Sequence, residues 1–271
     1  MGWRSGFPAG GGAGTAQQKR RLSSPSSCER EVTVNELALF AGAGGGILGG
    51  HLLGWRTVCA VERDAYAAQV LAQRQNDGIL QPFPIWSDVC SFDGKPWRGI
   101  VDIVSGGFPC QDISSAGRGA GIDGDKSGLW REMARIVSEV RPTFVFVENS
   151  PLLIGRGLAR VIGDLTEIGF DCQWSRVSAK ECGAPHKRDR LWLVGRNVRD
   201  TAGEGLPVWF TGQMERPAPL PQSQRPGWWP AEPGLGRVAN GMAHRVDRIK
   251  ALGNGQVPRV AATAFSLLCE K

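Results

Sequence analysis

The sequence predicts an α/β fold, a mainly parallel sheet with helices on both faces. Short apolar runs rich in β-branched and aromatic residues alternate with helix-spaced segments from about residue 34 to residue 195, the pattern of repeated strand-helix-strand units. Two of these runs, Val101-Asp102-Ile103-Val104-Ser105 and Thr143-Phe144-Val145-Phe146-Val147, are almost unbroken, as strands covered on both faces must be. Several runs end in glycine or in a charged residue, and the carboxyl edge of an open α/β sheet is where ligands bind.

Taken in order, residues 36–40 predict the first strand, a glycine loop follows, and 47–53 begin a helix. Residues 57–61 predict a second strand, and 64–75 a helix, on the spacing of Tyr66, Val70 and Leu71. Strands at 101–105 and 143–147 flank a helix at 128–140. A helix at 152–168 follows, strands at 170–177 and 191–194 close the sheet, and an amphipathic helix covers 257–268. Residues 1–31, rich in Gly, Ser and Pro with a basic Lys19-Arg20-Arg21 cluster, are expected to form a disordered tail. The main domain is expected to span 32–196. Residues 197–243, rich in proline and carrying Trp209, Trp228 and Trp229, predict a small irregular module, after which 244–271 return to the main domain.

Composition narrows the function. A net charge of +6 over 271 residues leans toward a polyanionic partner. Seven cysteines without a CxxC pair argue against a zinc ribbon or a disulfide framework and suit a reducing, cytoplasmic setting without metal. No apolar run reaches the roughly 18–20 residues that span a bilayer, and the N-terminus has no apolar core of a secretory signal. No membrane association is therefore expected.

Five motifs carry chemistry. Phe40-Ala41-Gly42-Ala43-Gly44-Gly45-Gly46 lies between a strand and a helix, where glycines let the backbone approach a ligand closely. Glu62 ends the second strand about 20 residues further on, the spacing at which an acid holds the ribose hydroxyls of a nucleoside cofactor. The loop lacks the Lys-Ser/Thr of a triphosphate-binding loop, and both a nicotinamide cofactor and S-adenosylmethionine fit it. Gly106-Gly107-Phe108-Pro109-Cys110-Gln111 sets a thiol at the sheet edge, and the glycine-rich run after it suits a loop closing over substrate. Glu148-Asn149 follows four apolar residues at the same edge, and a half-buried acid there can remain protonated and donate to a ring nitrogen. Pro185-His186-Lys187-Arg188-Asp189-Arg190 puts two guanidiniums on opposite sides of an extended segment, one for a substrate oxygen and one for an acid or phosphate. Ala251-Leu252-Gly253-Asn254-Gly255-Gln256-Val257-Pro258 opens the last helix. Each motif also has a plainer origin: a tight turn, a buried cysteine, a helix cap or a solvated basic turn.

In this order the five motifs resemble those of the 5-cytosine methyltransferase family, over residues 34 to about 195 and 244–269. The resemblance implies a Rossmann-like S-adenosylmethionine-dependent methyltransferase sheet and a covalent mechanism. Cys110 would attack carbon 6 of a flipped-out cytosine, Glu148 would protonate ring nitrogen 3, and Arg190 would hold the ring carbonyl. Arg188 and Asn149 would complete the catalytic group. The cofactor, S-adenosylmethionine, would lie on Phe40, Gly42, Gly44 and Gly45, with Glu62 on its ribose and Asp88 near the adenine amine. Pro109 would border it, and Asn254 would pack beside the pocket.

Three departures stand out. Arg63 follows Glu62 where many members carry an aromatic residue, and His186 replaces a common Gln. The 197–243 segment, in the position of the target-recognition region, is short and lacks the usual Arg-x-Leu-Thr motif. The expected partner is double-stranded DNA, with a monomeric enzyme of compact bacterial or phage type and a cognate restriction endonuclease. The alternatives are a tRNA cytosine methyltransferase on the same scaffold and a catalytically silent DNA-binding relative. A nicotinamide-dependent dehydrogenase would explain the glycine loop and Glu62 but not the other motifs.

Overall fold

Seven strands form one sheet in the order β3-β2-β1-β4-β5-β7-β6, seen in a computed structural model that describes residues 33–109, 128–198 and 245–269. The 1–31 tail, Cys110 with the loop that follows it, and all but the first residues of the 197–243 module lie outside the described residues. The strands are β1 (Asn35–Leu39), β2 (Arg56–Val61), β3 (Ile85–Trp86), β4 (Ile103–Gly106), β5 (Phe144–Asn149), β6 (Phe170–Ser178) and β7 (Asp189–Asn197). The first five are parallel. β7 inserts antiparallel between β5 and β6, because the short 179–188 connection makes a hairpin, whereas a parallel crossover needs a dozen or more residues.

The helices are α1 (Gly45–Leu52), α2 (Ala65–Asn76), α3 (Leu129–Val140), α4 (Leu153–Arg156), α5 (Leu158–Ile168), α6 (Arg245–Asn254) and α7 (Pro258–Cys269). Side chains alternate along the central strands. Val104, Val145 and Val147 join a core with Met133, Ile136 and Val137 of α3 and Val161 and Leu165 of α5. Ile103, Phe144 and Phe146 face the other way, onto Ala261 and Phe265 of α7. This two-sided burial is why β4 and β5 read as unbroken apolar runs.

The differences from the sequence expectation are local. β3 has two residues behind Pro82 and Pro84, too few for a period-two signal. The helix expected over 152–168 divides into α4 and α5 at Gly157, which ends one and starts the other. The segment expected to open the last helix instead joins two: α6 ends at Asn254, and α7 starts with Pro258 at its first position, where a missing N–H costs nothing. Among the described residues no helix is long and apolar enough to cross a membrane, and no group of three His, Cys, Asp or Glu side chains converges as a metal site would.

A buried carboxyl lies on β1, in the middle of the sheet. Glu36 of β1 accepts a hydrogen bond from the Ser105 hydroxyl of β4 at 2.6 Å and from the Thr57 hydroxyl of β2 at 2.7 Å. Burial outweighs both bonds and raises its pKa from 4.5 to about 7. The folded state therefore holds this proton more tightly than the unfolded chain. Its contribution to stability is complete below pH 4.5 and is lost as pH rises toward 7, by about 3 kcal/mol. Glu36→Gln is expected to flatten the stability profile over that window, because either hydroxyl can turn to accept from the new amide. Denaturant titrations of both proteins between pH 4.5 and 8 check this, and an unchanged slope would remove Glu36 as its source.

Candidate active site

The parallel strands present their carboxyl ends along one edge, and the reversed β7 brings its amino end to that same edge. There β5 ends at Glu148-Asn149, paired in register with Trp192 and Leu191 of β7. Arg190 is the next residue along, and its Nε lies 2.7 Å from Glu148 Oε1. Oε2, the other carboxyl oxygen, faces Gly107, where even a Cβ would come within 2.7 Å of it. Glu148 is 8 % exposed. Burial pushes its pKa from 4.5 up to about 7 against the opposing pull of Arg190 and, more weakly, Arg188. With Arg190 engaging Oε1, the proton belongs on Oε2, toward the Gly107 backbone.

Asn149 fixes the neighbouring loop. Its side-chain amide donates to the Phe108 carbonyl at 3.1 Å, and its side-chain oxygen accepts from the Ser150 N–H at 2.8 Å. Phe108 packs on Trp130, so the backbone entering Pro109 and Cys110 is held from two sides. Cys110 itself lies outside the described residues.

On the side of the glycine loop, the chain leaves β1 through Phe40, Gly42 and Gly44, all with positive φ (52°, 54° and 85°), an uncommon region for the non-glycine Phe40. The turn is fixed from outside. Glu62 accepts from the Gly42 N–H at 2.6 Å and from the Asp64 N–H at 2.7 Å, and Arg74 of α2 donates to the Ala43 carbonyl at 2.6 Å. A Cβ at Gly42 would meet open space, while one at Gly44 would meet Leu71 and one at Gly45 would lie 2.2 Å from the Gln256 carbonyl oxygen. Gly42 is thus the glycine with open space beside it, and Gly44 and Gly45 are glycine because α2 and the α6–α7 turn press on them. Asp88 sits at the surface beyond β3 and caps a short 3-10 turn through the Cys90 N–H at 3.0 Å, a bond that holds its carboxyl below the usual range.

A cavity of about 40 Å³ joins the two sides. Phe40, Gly42, Glu148 and Asn254, all singled out from the sequence, line it together with Gly107 and Gln256. Arg188 points elsewhere, donating from Nη2 to the carbonyls of Gly253 and Gly255. Gln256 was not anticipated: its backbone packs on Gly45, and its side chain packs on Gly46 and approaches Gly107. Its only sequence signal is its place inside the same motif as Asn254. Gly45→Ala would force backbone against backbone, so we expect a loss of about 1–3 kcal/mol from overpacking, read as a lower Tm; an unchanged Tm would mean the turn is free to move away.

Residues 34–222 match the family of C-5 cytosine-specific DNA methylases. The chain belongs to that family. It is 34% identical over 175 residues to the type II methyltransferase M.Eco47II of Escherichia coli, covering 63% of this chain and 40% of that protein. It is 36% identical over 193 residues to M.PspPI of a Psychrobacter species, covering 67% and 45%. A prophage-encoded E. coli protein described as a DNA modification methyltransferase shares the fold, with a TM-score of 0.51, 25% identity, and 62% and 48% of the two chains covered. This methylase-family chain thus aligns with less than half the length of these relatives. Its mostly parallel seven-stranded sheet is the fold of S-adenosylmethionine-dependent methyltransferases.

Proposed function

We propose that this chain transfers a methyl group from S-adenosylmethionine to carbon 5 of cytosine in double-stranded DNA, through a covalent adduct at Cys110. The observation that carries this reading is Glu148, a buried carboxyl poised to be protonated near neutral pH and pinned by Arg190. It stands at the sheet edge from which the Gly107–Pro109 loop leads into Cys110. A protein needs such an acid to protonate a ring nitrogen and make the ring electrophilic.

The residues fit the cofactor. Gly42 offers an open approach, Phe40 and Asn254 wall the cavity, and each Glu62 oxygen keeps a second lone pair for ribose hydroxyls beyond the backbone amide it already accepts. Asp88 would meet the adenine amine, Pro109 would border the site, and Gly44 and Gly45 would shape the loop. When bound, the cofactor supplies an electrophilic methyl group that the activated carbon 5 accepts. The Cys110 thiolate forms the bond to carbon 6 while Glu148 gives its Oε2 proton to ring nitrogen 3, and Arg190 holds the ring carbonyl. Asn149 keeps the nucleophile's loop in place. Loss of the carbon-5 proton to a base then restores the ring double bond and expels the Cys110 sulfur, and ring nitrogen 3 returns its proton to Glu148. A monomer working in the cytoplasm without metal, beside a cognate endonuclease, completes the proposal.

The test is transfer of a labelled methyl group to a sequence-diverse duplex DNA pool and, in parallel, to structured RNA. Label in the DNA supports the reading. Label in RNA alone would place the chain among tRNA methyltransferases, and label in neither, with cofactor still bound, would favour a silent DNA-binding relative.

A further inference from the structure

Arg188 carries two features that the catalytic scheme does not use. Its φ of 32° places a non-glycine residue in a sparsely populated region, which persists only where the surroundings enforce it. Its guanidinium, in the middle of the site motif, donates from one nitrogen to two carbonyls of a distant segment, those of Gly253 and Gly255.

That segment is a wedge. Between Gly253 and Pro258 the chain turns from α6 into α7, and Gln256 fills the space left by three glycines. Its carbonyl oxygen would be 2.2 Å from a Cβ at Gly45, its Oε1 2.6 Å from one at Gly46, and its Nε2 3.2 Å from one at Gly107. The same turn carries Asn254, which lines the cavity beside Glu148. α6 is tied to the cofactor side as well, because Lys250 pairs with Asp64, whose own N–H holds Glu62. On the far side α7 is seated on α1, where a Cβ on Gly49 would come within 2.8 Å of the Ala261 Cβ. Arg188 reaches the turn from the Glu148 side.

We propose that Arg188 is a positioning residue: it clamps the Gly253–Gln256 turn against the glycine loop and thereby completes the cofactor cleft from the acid side. This rests on the function proposed above and deepens it by giving the first arginine of the pair a role toward the cofactor, apart from the target base. Arg188 also acts on Glu148 through space. The charges bearing on that carboxyl are Arg190 and Arg188, while Gly107, which packs against it, and Gln256, which lines the same cavity, are neutral. Removing the Arg188 charge should raise the pKa of Glu148 further. Arg188 therefore touches both halves of the site, through two carbonyl bonds on one side and through its charge on the other.

The experiment uses the full chain and S-adenosylhomocysteine, whose binding needs no DNA, with calorimetry for affinity and carbon-13 NMR for the Glu148 carboxyl. Arg188→Gln is expected to weaken binding about 10-fold and to move the Glu148 titration to higher pH. Arg188→Lys keeps the charge on a shorter, differently shaped donor, so Glu148 should titrate as in the wild type while binding remains weakened. Wild-type affinity in Arg188→Gln, or an unmoved titration, would overturn the proposal. If Arg188→Gln does not fold, Gln256→Ala carries the test, because it trims the wedge and leaves Arg188 in place. Weakened binding with an unmoved Glu148 is then expected, and wild-type affinity would overturn the proposal. Absence of binding by the wild-type chain would instead overturn the methyltransferase reading beneath it.

Discussion

Cys110→Ser is expected to lower methyl transfer by roughly 10³-fold or more while leaving cofactor affinity unchanged. The thiolate is both more accessible at neutral pH and more nucleophilic than a serine hydroxyl, and no neighbouring base is proposed that could activate serine in its place. The cofactor's contacts are expected from the glycine loop, Glu62 and Asn254, not from the Cys110 thiol. The substitution thus separates chemistry from binding. Single-turnover rates with labelled cofactor, set beside calorimetry, check it; turnover that survives would remove covalent catalysis by Cys110.

Glu148→Gln is expected to slow transfer by about 10²–10⁴-fold, the usual worth of a positioned acid, and to change the shape of the pH profile. With its pKa raised by burial to about 7, Glu148 in the free enzyme loses its proton as pH rises through neutrality, so kcat/KM of the wild type should fall above about pH 7. The glutamine has no proton to lose, so that alkaline limb should disappear. Stability responds with the sign found for Glu36: the raised pKa stabilises the fold most below pH 4.5 and progressively less up to about pH 7. The amide still fills the space and can accept from Arg190, so the variant should fold. A profile that keeps the same alkaline limb would assign it to another group.

The position of Glu148 was legible in the sequence, and the reason is physical. β4 and β5 are buried on both faces, so their apolar runs mark where each strand stops, and the first polar residue beyond marks the sheet edge. That logic located the Gly106–Pro109 loop and Glu148-Asn149. Arg188 and Arg190 do point different ways, but Arg188 precedes β7 with a φ of 32°, so the extended alternation expected of the pair is not what separates them. What stayed hidden depends on contacts between distant segments. That β7 runs antiparallel, bringing Arg190 to Glu148, is set by a hairpin and by pairing with β5, not by its composition. Gln256 looks like any polar residue of a loop, and only the packing shows it against Gly45, Gly46 and Gly107. Glu36, a single charged residue in a short strand, gave no hint that Ser105 and Thr57 would enclose it.

Packing also divides the glycines in a way no motif does. Gly42 faces open space, and Gly44 and Gly45 are pressed by Leu71 and Gln256. The loop is therefore built as much by α2 and the C-terminal turn as by its own flexibility. Substitutions at Gly45 should register first in folding, and those at Gly42, where φ is 54°, in the conformation of the turn.

The most direct test of the central claim is to incubate the chain with S-adenosylmethionine and a sequence-diverse duplex DNA pool containing 5-fluorocytosine, then identify the modified peptide by mass spectrometry. Fluorine at carbon 5 blocks the final elimination and traps the covalent adduct. The account predicts a methylated fluorocytosine attached to the peptide bearing Cys110. Cofactor binding without any adduct to DNA, or an adduct on a different cysteine, would contradict it.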